Sequence, residues 1–249
     1  MEVHHHSHHP KKFTEYITEF VMLFAAVTLG FFAENLREHM VEAEREEVYM
    51  QGLVEDLKID TARIIYSISR LQGNIANTDT LVNMYLKGQF KGEYSSVFSA
   101  KGSNAGHSVD VVFNDRTSSQ LKGTGSIRLI KEKHIADSLM MYWNNQIKLD
   151  QIHSRYEETR QRQRESGFRT FKWYVGNFKY AGGKFDEEPN MQDYILDVNN
   201  VPEFVNITSS LYNISRTQYI KELQTEKKLA ESLIKEISTA YHLDNSEEK

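Results

Sequence analysis

One uncharged apolar run, residues 20–33 (FVMLFAAVTLGFFA), limits what this chain can fold into more than any other feature. Thr28 is its one polar residue, whereas a helix in a soluble core usually keeps one polar face. At about 1.5 Å per residue the run covers roughly 21 Å, and residues 16–36 would cover the roughly 30 Å hydrocarbon core of a bilayer. Glu19 and Glu34 would then lie near the two interfaces, beside flanking aromatic residues. We therefore expect a transmembrane helix over residues 16–36.

Two other interpretations of this run stay open. A signal peptide would need a small-x-small cleavage site soon after the run, but the chain continues as ENLREHMVEAEREE, which is typical of an uninterrupted helix. A buried core helix is the other possibility, because apolar runs of about 10–14 residues often have that role.

Small residues line one side of the expected membrane helix. Ala26, Gly30 and Ala33 lie on the same side as Met22. Small residues let two membrane helices approach closely, so these positions predict a helix–helix interface.

A second periodic signal follows over residues 36–85. A 4-3 spacing predicts one long helix with a continuous seam, in line with the membrane helix. Extra apolar residues widen the seam into the stripe of a bundle helix. Gly52 and Gly73 are its possible weak points. The seam consists of Leu36, Met40, Ala43, Glu47, Met50, Val54, Leu57, Thr61, Ile64, Ile68, Leu71, Ile75, Thr78, Val82 and Tyr85.

The remaining sequence predicts two loops and three further helices. Gly- and Ser-rich stretches indicate loops near residues 88–112 and 179–202. A short helix is expected near 117–122, capped by Asp115 or Thr117. A long helix from about 126 toward 178, and a last helix from Pro202 to about 241, complete the chain. The predicted fold is all-α, with an N-terminal transmembrane helix, an antiparallel long-helix bundle over 37–242 and a disordered tail over 243–249.

Composition excludes several classes of function. The net charge is −5 and basic residues form no dense block, so nucleic-acid binding is not expected. The chain has no cysteine, which excludes disulfides and thiolate chemistry. It contains no GxSxG, P-loop or HExxH motif, and no GxGxxG after a strand. No known catalytic signature is therefore present.

The orientation of the anchor is only weakly specified. Lys11 and Lys12 precede the apolar run, and Arg37 and Arg45 follow it, so the basic residues balance. The α-amino group and partly protonated histidines favour a cytoplasmic N-terminus. We expect a single-pass protein of the inner membrane, with a cytoplasmic tail over 1–15 and a periplasmic bundle.

The N-terminal tail carries a histidine cluster. Neutral imidazoles bind Zn²⁺, Ni²⁺ or Cu²⁺, so the cluster could supply several ligands. A leader resembling an expression tag and a pH-sensitive tail are the other interpretations, although Ser7 interrupts the run. The candidate ligands are His4, His5, His6, His8 and His9.

Other chemistry-bearing residues are scattered. We expect the isolated histidines to lie at the surface or to be satisfied in the core. An aromatic group suggests core packing, with a ligand pocket or partner surface as the alternative. The histidines are His39, His107, His134, His153 and His242, and the aromatic residues are Trp173, Tyr174, Phe178 and Tyr180.

Two sequence blocks resemble a known family. The first comprises HHSHHPKK, EYITEFVMLFAAVTLGFFAENLREH and YMQGLVEDLKID. The second, LKGTGSIRLIKEKHIADSLMMYW, is similar to the pattern LxxSGxLxLIxxxxLxxxLxxYY, with Thr124 in place of the serine. Together they resemble an uncharacterised family of single-pass membrane proteins from Bacteroidetes-type bacteria. The resemblance implies a location and a fold, but no reaction.

These patterns predict a membrane-anchored helical bundle of the bacterial cell envelope, acting as a structural, scaffold or sensory module without catalysis. Its expected partners are the lipid bilayer and a second copy or another envelope protein. Two alternatives remain: a metal-binding or metal-sensing membrane protein that uses the histidine cluster, and an enzyme with an unrecognised site.

Overall fold

The computed structural model describes residues 12–187 and 192–243, and within them the chain is all-α. No strand forms in these residues beyond an isolated antiparallel bridge between Phe171 and Ile195. A π turn, Ser215–Tyr219, joins the last two helices. The helices are α1 (Phe13–Leu86), α2 (Ser95–Ala105), α3 (Arg116–Gly123), α4 (Lys133–Thr170), α5 (Trp173–Tyr180), α6 (Val201–Ile214) and α7 (Ile220–Ala240).

Contacts divide the chain into two units, Met1–Tyr49 and Met50–Lys249, and the boundary falls inside α1. In the first unit, every residue from 12 to 40 is exposed. The apolar window near the N-terminus is long and apolar enough to cross a membrane, and none of it is buried in the described protein. The window is therefore not part of a core formed by the described residues.

The second unit is the helical bundle, and α1 enters it with the predicted seam facing inward. Met50, Leu57, Ile64 and Leu71 are fully or almost fully buried. The 4-3 spacing therefore identified the correct face, because side chains at this spacing share one side of a helix. One core cluster on this face joins Ile64, Leu71, Val109, Leu149, Ile152, Tyr156, Leu211, Tyr219 and Leu223.

Side-chain contacts between the helices show in which direction each one runs relative to its neighbours. Asp60 and Asn74 of α1 bond to Tyr142 and Tyr156 of α4, so α1 and α4 run in the same direction. The continuous stretch of α6, the π turn and α7 runs antiparallel to α4, since Asn145 of α4 contacts Glu226 of α7 whereas Arg169 of α4 contacts Glu203 of α6. A simple up-and-down bundle would make α1 and α4 antiparallel. They run in the same direction because the connecting chain returns alongside α1.

The region predicted as a loop near 88–112 contains helix α2, which corrects that expectation. Several small residues of α2 are packing residues rather than signs of a loop. Ser95 and Gly102 are buried beside Phe98, and a Cβ added at Gly102 would lie 2.7 Å from the ring of Phe204. Small side chains thus let α2 approach α6 closely.

The other boundaries lie close to the predictions except at the two ends of α4. Its expected start near 126 is a separate 3₁₀ turn over Ser126–Leu129, and α4 itself begins at Lys133. Helix α3 matches the expected short helix, and Pro202 lies in the first turn of α6. Helix α4 ends at Thr170 instead of continuing toward 178, and α5 follows separately. The helix ends there because Phe171 turns into the core and the backbone N–H of its neighbour Lys172 donates to the carbonyl of Tyr194.

Candidate functional site

Polar side chains of α1 hold the backbone of residues 107–115, which we call the docked segment. Asn74 Nδ2 donates to the carbonyl of His107 at 2.9 Å, and Arg63 Nη1 donates to the carbonyl of Val112 at 2.6 Å. Between them, Ser67 Oγ donates to the carbonyl of Asp110 at 3.3 Å. Because α1 supplies these partners, a segment without regular structure satisfies its main-chain groups and keeps a fixed path.

Two carboxylates extend this arrangement toward α3. Asp60 Oδ1 accepts the N–H of Asn114 at 2.7 Å, and Asp56 Oδ2 accepts the N–H of Thr117 at 2.9 Å. Thr117 lies in the first turn of α3, whose own Asp115 makes no side-chain cap. The expected cap from Asp115 or Thr117 is therefore wrong. A carboxylate from another helix satisfies this N-terminus and complements its positive dipole end.

The docked segment carries Asp110 to α4, where His153 and Glu157 point toward it. The last two are four residues apart and so share one face of the helix. Their ligand atoms and an oxygen of Asp110 all lie within 4.8 Å of one another. We call these three residues the Asp–His–Glu site. Among the described residues, these three side chains lie close enough together to hold a metal ion.

A serine hydroxyl lies between the two carboxylates of this site. Ser108 Oγ is 3.3 Å from both carboxylate oxygens of Asp110 and 3.3 Å from Oε1 of Glu157. The other oxygen of Glu157 is used by Arg160, whose Nε donates to Oε2 at 2.7 Å. Oε1 of Glu157 therefore faces the site while the opposite oxygen is fixed by the guanidinium.

The imidazole of His153 is oriented by a buried tyrosine. Its Nδ1 lies 3.0 Å from the hydroxyl of Tyr219, and that hydroxyl donates to the carbonyl of Val109 at 3.3 Å. Burial raises the pKa of Tyr219, so the phenol keeps its proton. A hydroxyl that donates to Val109 is available to accept from Nδ1–H, an arrangement in which Nε2 carries the lone pair. Tyr219 ends the π turn, a local feature found often at functional sites.

A pair of buried carboxylates lies elsewhere in the bundle. Glu226 of α7 is fully buried, and its Oε2 accepts from Asn145 at 2.8 Å. Its Oε1 has no hydrogen-bond partner among the described residues. Burial raises the pKa of Glu226 to about 8, with a further contribution from the charge of Asp60. Burial also raises the pKa of Asp60, whose oxygens accept from Asn114 and Tyr142.

The residues predicted as sites have different outcomes. The histidine cluster lies outside the described residues. Ala26, Gly30 and Ala33 are exposed on α1, and the interface they predict stays a prediction. The four aromatic residues do not form one pocket, since Trp173 stacks on Phe171 in the core whereas Tyr180 is 96% exposed.

Sequence reasoning missed the Asp–His–Glu site because it treated His153 as isolated. The spacing His153-x-x-x-Glu157 was a readable signal, since it places two ligand types on one helical face. Asp110 carried no such signal, because its place beside α4 depends on the path of the docked segment.

The described residues form an all-α bundle, and the N-terminal part of α1 is an apolar helical segment long enough to span a membrane. Comparison with protein-family models, curated proteins and solved structures finds no match to the chain. The resemblance of the two sequence blocks to a family therefore stays a prediction.

Proposed function

We propose that this protein is a single-pass, membrane-anchored helical bundle of the bacterial inner membrane, and that its bundle acts in the periplasm as a scaffold or sensory module without catalysis. The observation that carries the proposal is the exposed apolar segment of α1. Leu23 is 71% exposed and Phe31 is 75% exposed. Full burial of one such side chain is worth about 1.5–3 kcal/mol, so a run of them demands an apolar environment, which lipid supplies.

The arrangement of polar groups in the bundle supports a module that holds a shape. Asp56, Asp60, Arg63 and Asn74 are committed to backbone groups of the docked segment or α3. Side chains used in this way fix the surface that the bundle presents. They support an interaction or sensing role in which a partner reads that surface.

The partners we propose are the bilayer and a second copy of this chain. Association would use the face formed by Ala26, Gly30 and Ala33. A Cβ added at Gly30 would meet no other atom within 4 Å in one chain, so this surface is open to a neighbouring helix.

A topology measurement tests the proposal, because the chain has no cysteine and every engineered one is unique. Thr225→Cys places a thiol on the exposed side of α7, and Ser7→Cys places one before the anchor. Each full-length variant is expressed in bacteria whose outer membrane has been permeabilised and is treated with a membrane-impermeant maleimide. Recovery in the membrane fraction is established first.

We expect the Thr225→Cys variant to be labelled in these cells and the Ser7→Cys variant only after lysis. The reverse pattern would place the bundle in the cytoplasm and overturn the proposed orientation. Recovery of the protein in the soluble fraction would overturn the anchor itself.

A further inference from the structure

We propose that Asp110, His153 and Glu157 bind a divalent transition-metal ion of the zinc class, with the hydroxyl of Ser108 beside it. The inference goes beyond the proposed function and does not depend on the anchor, because all of these residues belong to the bundle. It also differs from metal capture by the N-terminal histidines, which are another set of ligands.

The distances suit a metal ion after small adjustments. Ligand atoms about 2.0–2.2 Å from a tetrahedral zinc lie roughly 3.4 Å from one another. Oδ1 of Asp110 is 3.7 Å from Nε2 of His153, and all three ligand atoms lie within 4.8 Å. The side chain of Asp110 is 64% exposed, and among the described residues its oxygens accept a hydrogen bond from Ser108 and lie 3.7 Å from Nε2 of His153, so a rotation can close the gap.

The single hydroxyl proton of Ser108 cannot satisfy all the carboxylate oxygens that surround it. A hydroxyl has one proton to donate, but Ser108 Oγ lies 3.3 Å from three carboxylate oxygens. At most one of these contacts is a good hydrogen bond at any moment. A cation between Asp110 and Glu157 would satisfy the remaining oxygens and relieve the repulsion between two negative side chains.

The tyrosine behind His153 completes the arrangement. Metal-binding histidines almost always donate their second ring N–H to a neighbouring group, which fixes the tautomer. Tyr219 provides that acceptor at 3.0 Å from Nδ1, and Arg160 holds the outer oxygen of Glu157 in the same way. Both ligands on α4 are thus oriented before any ion arrives.

The ligand set indicates the class of metal. One imidazole with two carboxylates suits a borderline ion such as Zn²⁺ better than the all-oxygen sites of Ca²⁺ or Mg²⁺. The side chain of His153 is one-third exposed, so water can complete the coordination and ions can exchange with solvent. A purely electrostatic contact between protonated His153 and Asp110 is the competing arrangement.

The test measures Zn²⁺ affinity by competition with a chromophoric chelator, on full-length protein in detergent micelles. The starting protein carries His4→Asn, His5→Asn, His6→Asn, His8→Asn and His9→Asn, so the tail cannot bind the ion. Into it we introduce His153→Ala, Glu157→Gln or Asp110→Asn. The matched control is His134→Ala, because His134 also lies beside a carboxylate, 3.5 Å from Glu132, but belongs to no three-ligand group among the described residues.

We expect the five-substitution protein to bind one Zn²⁺ per chain. Each of the three site variants should weaken binding by more than tenfold, and His134→Ala should leave it unchanged. No binding by the starting protein, or equal affinity with and without the site substitutions, would overturn the proposal in favour of the electrostatic contact. Circular dichroism establishes that each variant is folded.

A second measurement examines the role of Tyr219. Co²⁺ replaces Zn²⁺, and its visible absorption reports the geometry of the ligands. Tyr219→Phe keeps the ring but removes the acceptor for Nδ1, so we expect affinity to fall by roughly 10–100-fold while a coordinated Co²⁺ spectrum persists. Unchanged affinity would show that Tyr219 does not position His153. Loss of the Co²⁺ spectrum in the His153→Ala variant, with its persistence in Tyr219→Phe, would confirm the imidazole as a ligand.

Discussion

Asp56 of α1 accepts a 2.9 Å hydrogen bond from the backbone N–H of Thr117, and so caps a helix that lies 61 residues further along the chain. Its other oxygen lies 3.1 Å from Arg116. One buried carboxylate thus joins the long N-terminal helix to the first turn of α3. The chain between them is the part that returns along α1, so this contact helps to define the topology.

Replacing Asp56 by alanine should therefore destabilise the bundle and loosen α3. Loss of a helix cap and of a buried charged hydrogen bond costs about 1–3 kcal/mol. Thermal unfolding of the full chain in micelles measures the change, and amide hydrogen exchange over 114–123 locates it. Glu55→Ala is the matched control, because Glu55 contacts the same Arg116 from an exposed position and should cost less than about 1 kcal/mol. Equal effects of the two substitutions would contradict a capping role.

Two glycines in helices should respond to alanine in opposite ways. A Cβ at Gly102 of α2 would lie 2.7 Å from the ring of Phe204, so Gly102→Ala should overpack this contact and cost about 1–3 kcal/mol. A Cβ at Gly73 of α1 would meet nothing within 4 Å, so Gly73→Ala should stabilise the exposed helix by roughly 0.5–1 kcal/mol. Chemical denaturation of both variants checks the sign. Destabilisation by Gly73→Ala would show that α1 needs this glycine for another reason.

The sequence predicts the parts of the fold that depend on local patterns, but not those that depend on contacts between distant residues such as Gly102 and Phe204. Periodicity is a local property, so the seam through Met50 and Leu71 gave α1 and its buried face. Helix α2 was missed because serine and glycine carry the same signal in a loop and at a close helix contact. Gly102 is explained only by Phe204, which lies far away in sequence.

The polar contacts were beyond sequence reasoning for a related reason. Asp60, Ser67 and Asn74 look like ordinary polar residues on a helix, but they bond to the backbone of the docked segment. Backbone groups leave no pattern in a sequence. The candidate site divides in the same way, since His153 and Glu157 share a readable spacing whereas Asp110 reaches them through the path of the chain.

The membrane helix offers a prediction about self-association. Gly30→Ile adds bulk to the proposed interface without a clash inside one chain, because nothing lies within 4 Å of a Cβ there. We expect it to shift the protein from dimer to monomer in sedimentation equilibrium in density-matched detergent. Thr28→Ile is the control, since position 28 lies about 200° around the helix from Gly30. An equal shift with both substitutions, or with neither, would contradict an interface at Ala26, Gly30 and Ala33.

Glu226 makes the stability of the bundle depend on pH. Its folded-state pKa is raised from an ordinary 4.5 to about 8, so between these values the folded protein keeps a proton that the unfolded chain loses. The stabilisation that this bound proton contributes is therefore fully present below about pH 4.5 and is lost as the pH rises through 8. The groups that face Glu226 are Asp60, Glu222 and Tyr142, and the raised pKa of Asp60 acts in the same direction.

Glu226→Gln should remove this dependence while keeping the shape of the side chain and a carbonyl oxygen for Asn145. Relative to wild type, the variant should gain stability from pH 5 to about pH 8, by up to about 1.4 kcal/mol per unit of pH, and the difference should level off above pH 8. Melting temperatures of both full-length proteins across this range give the difference. Glu231→Gln is the control, because Glu231 is half-exposed and paired with Lys227, and its difference from wild type should stay flat. A flat difference for Glu226→Gln as well would mean that the buried carboxyl titrates near its ordinary pKa, and that water reaches it in the folded bundle.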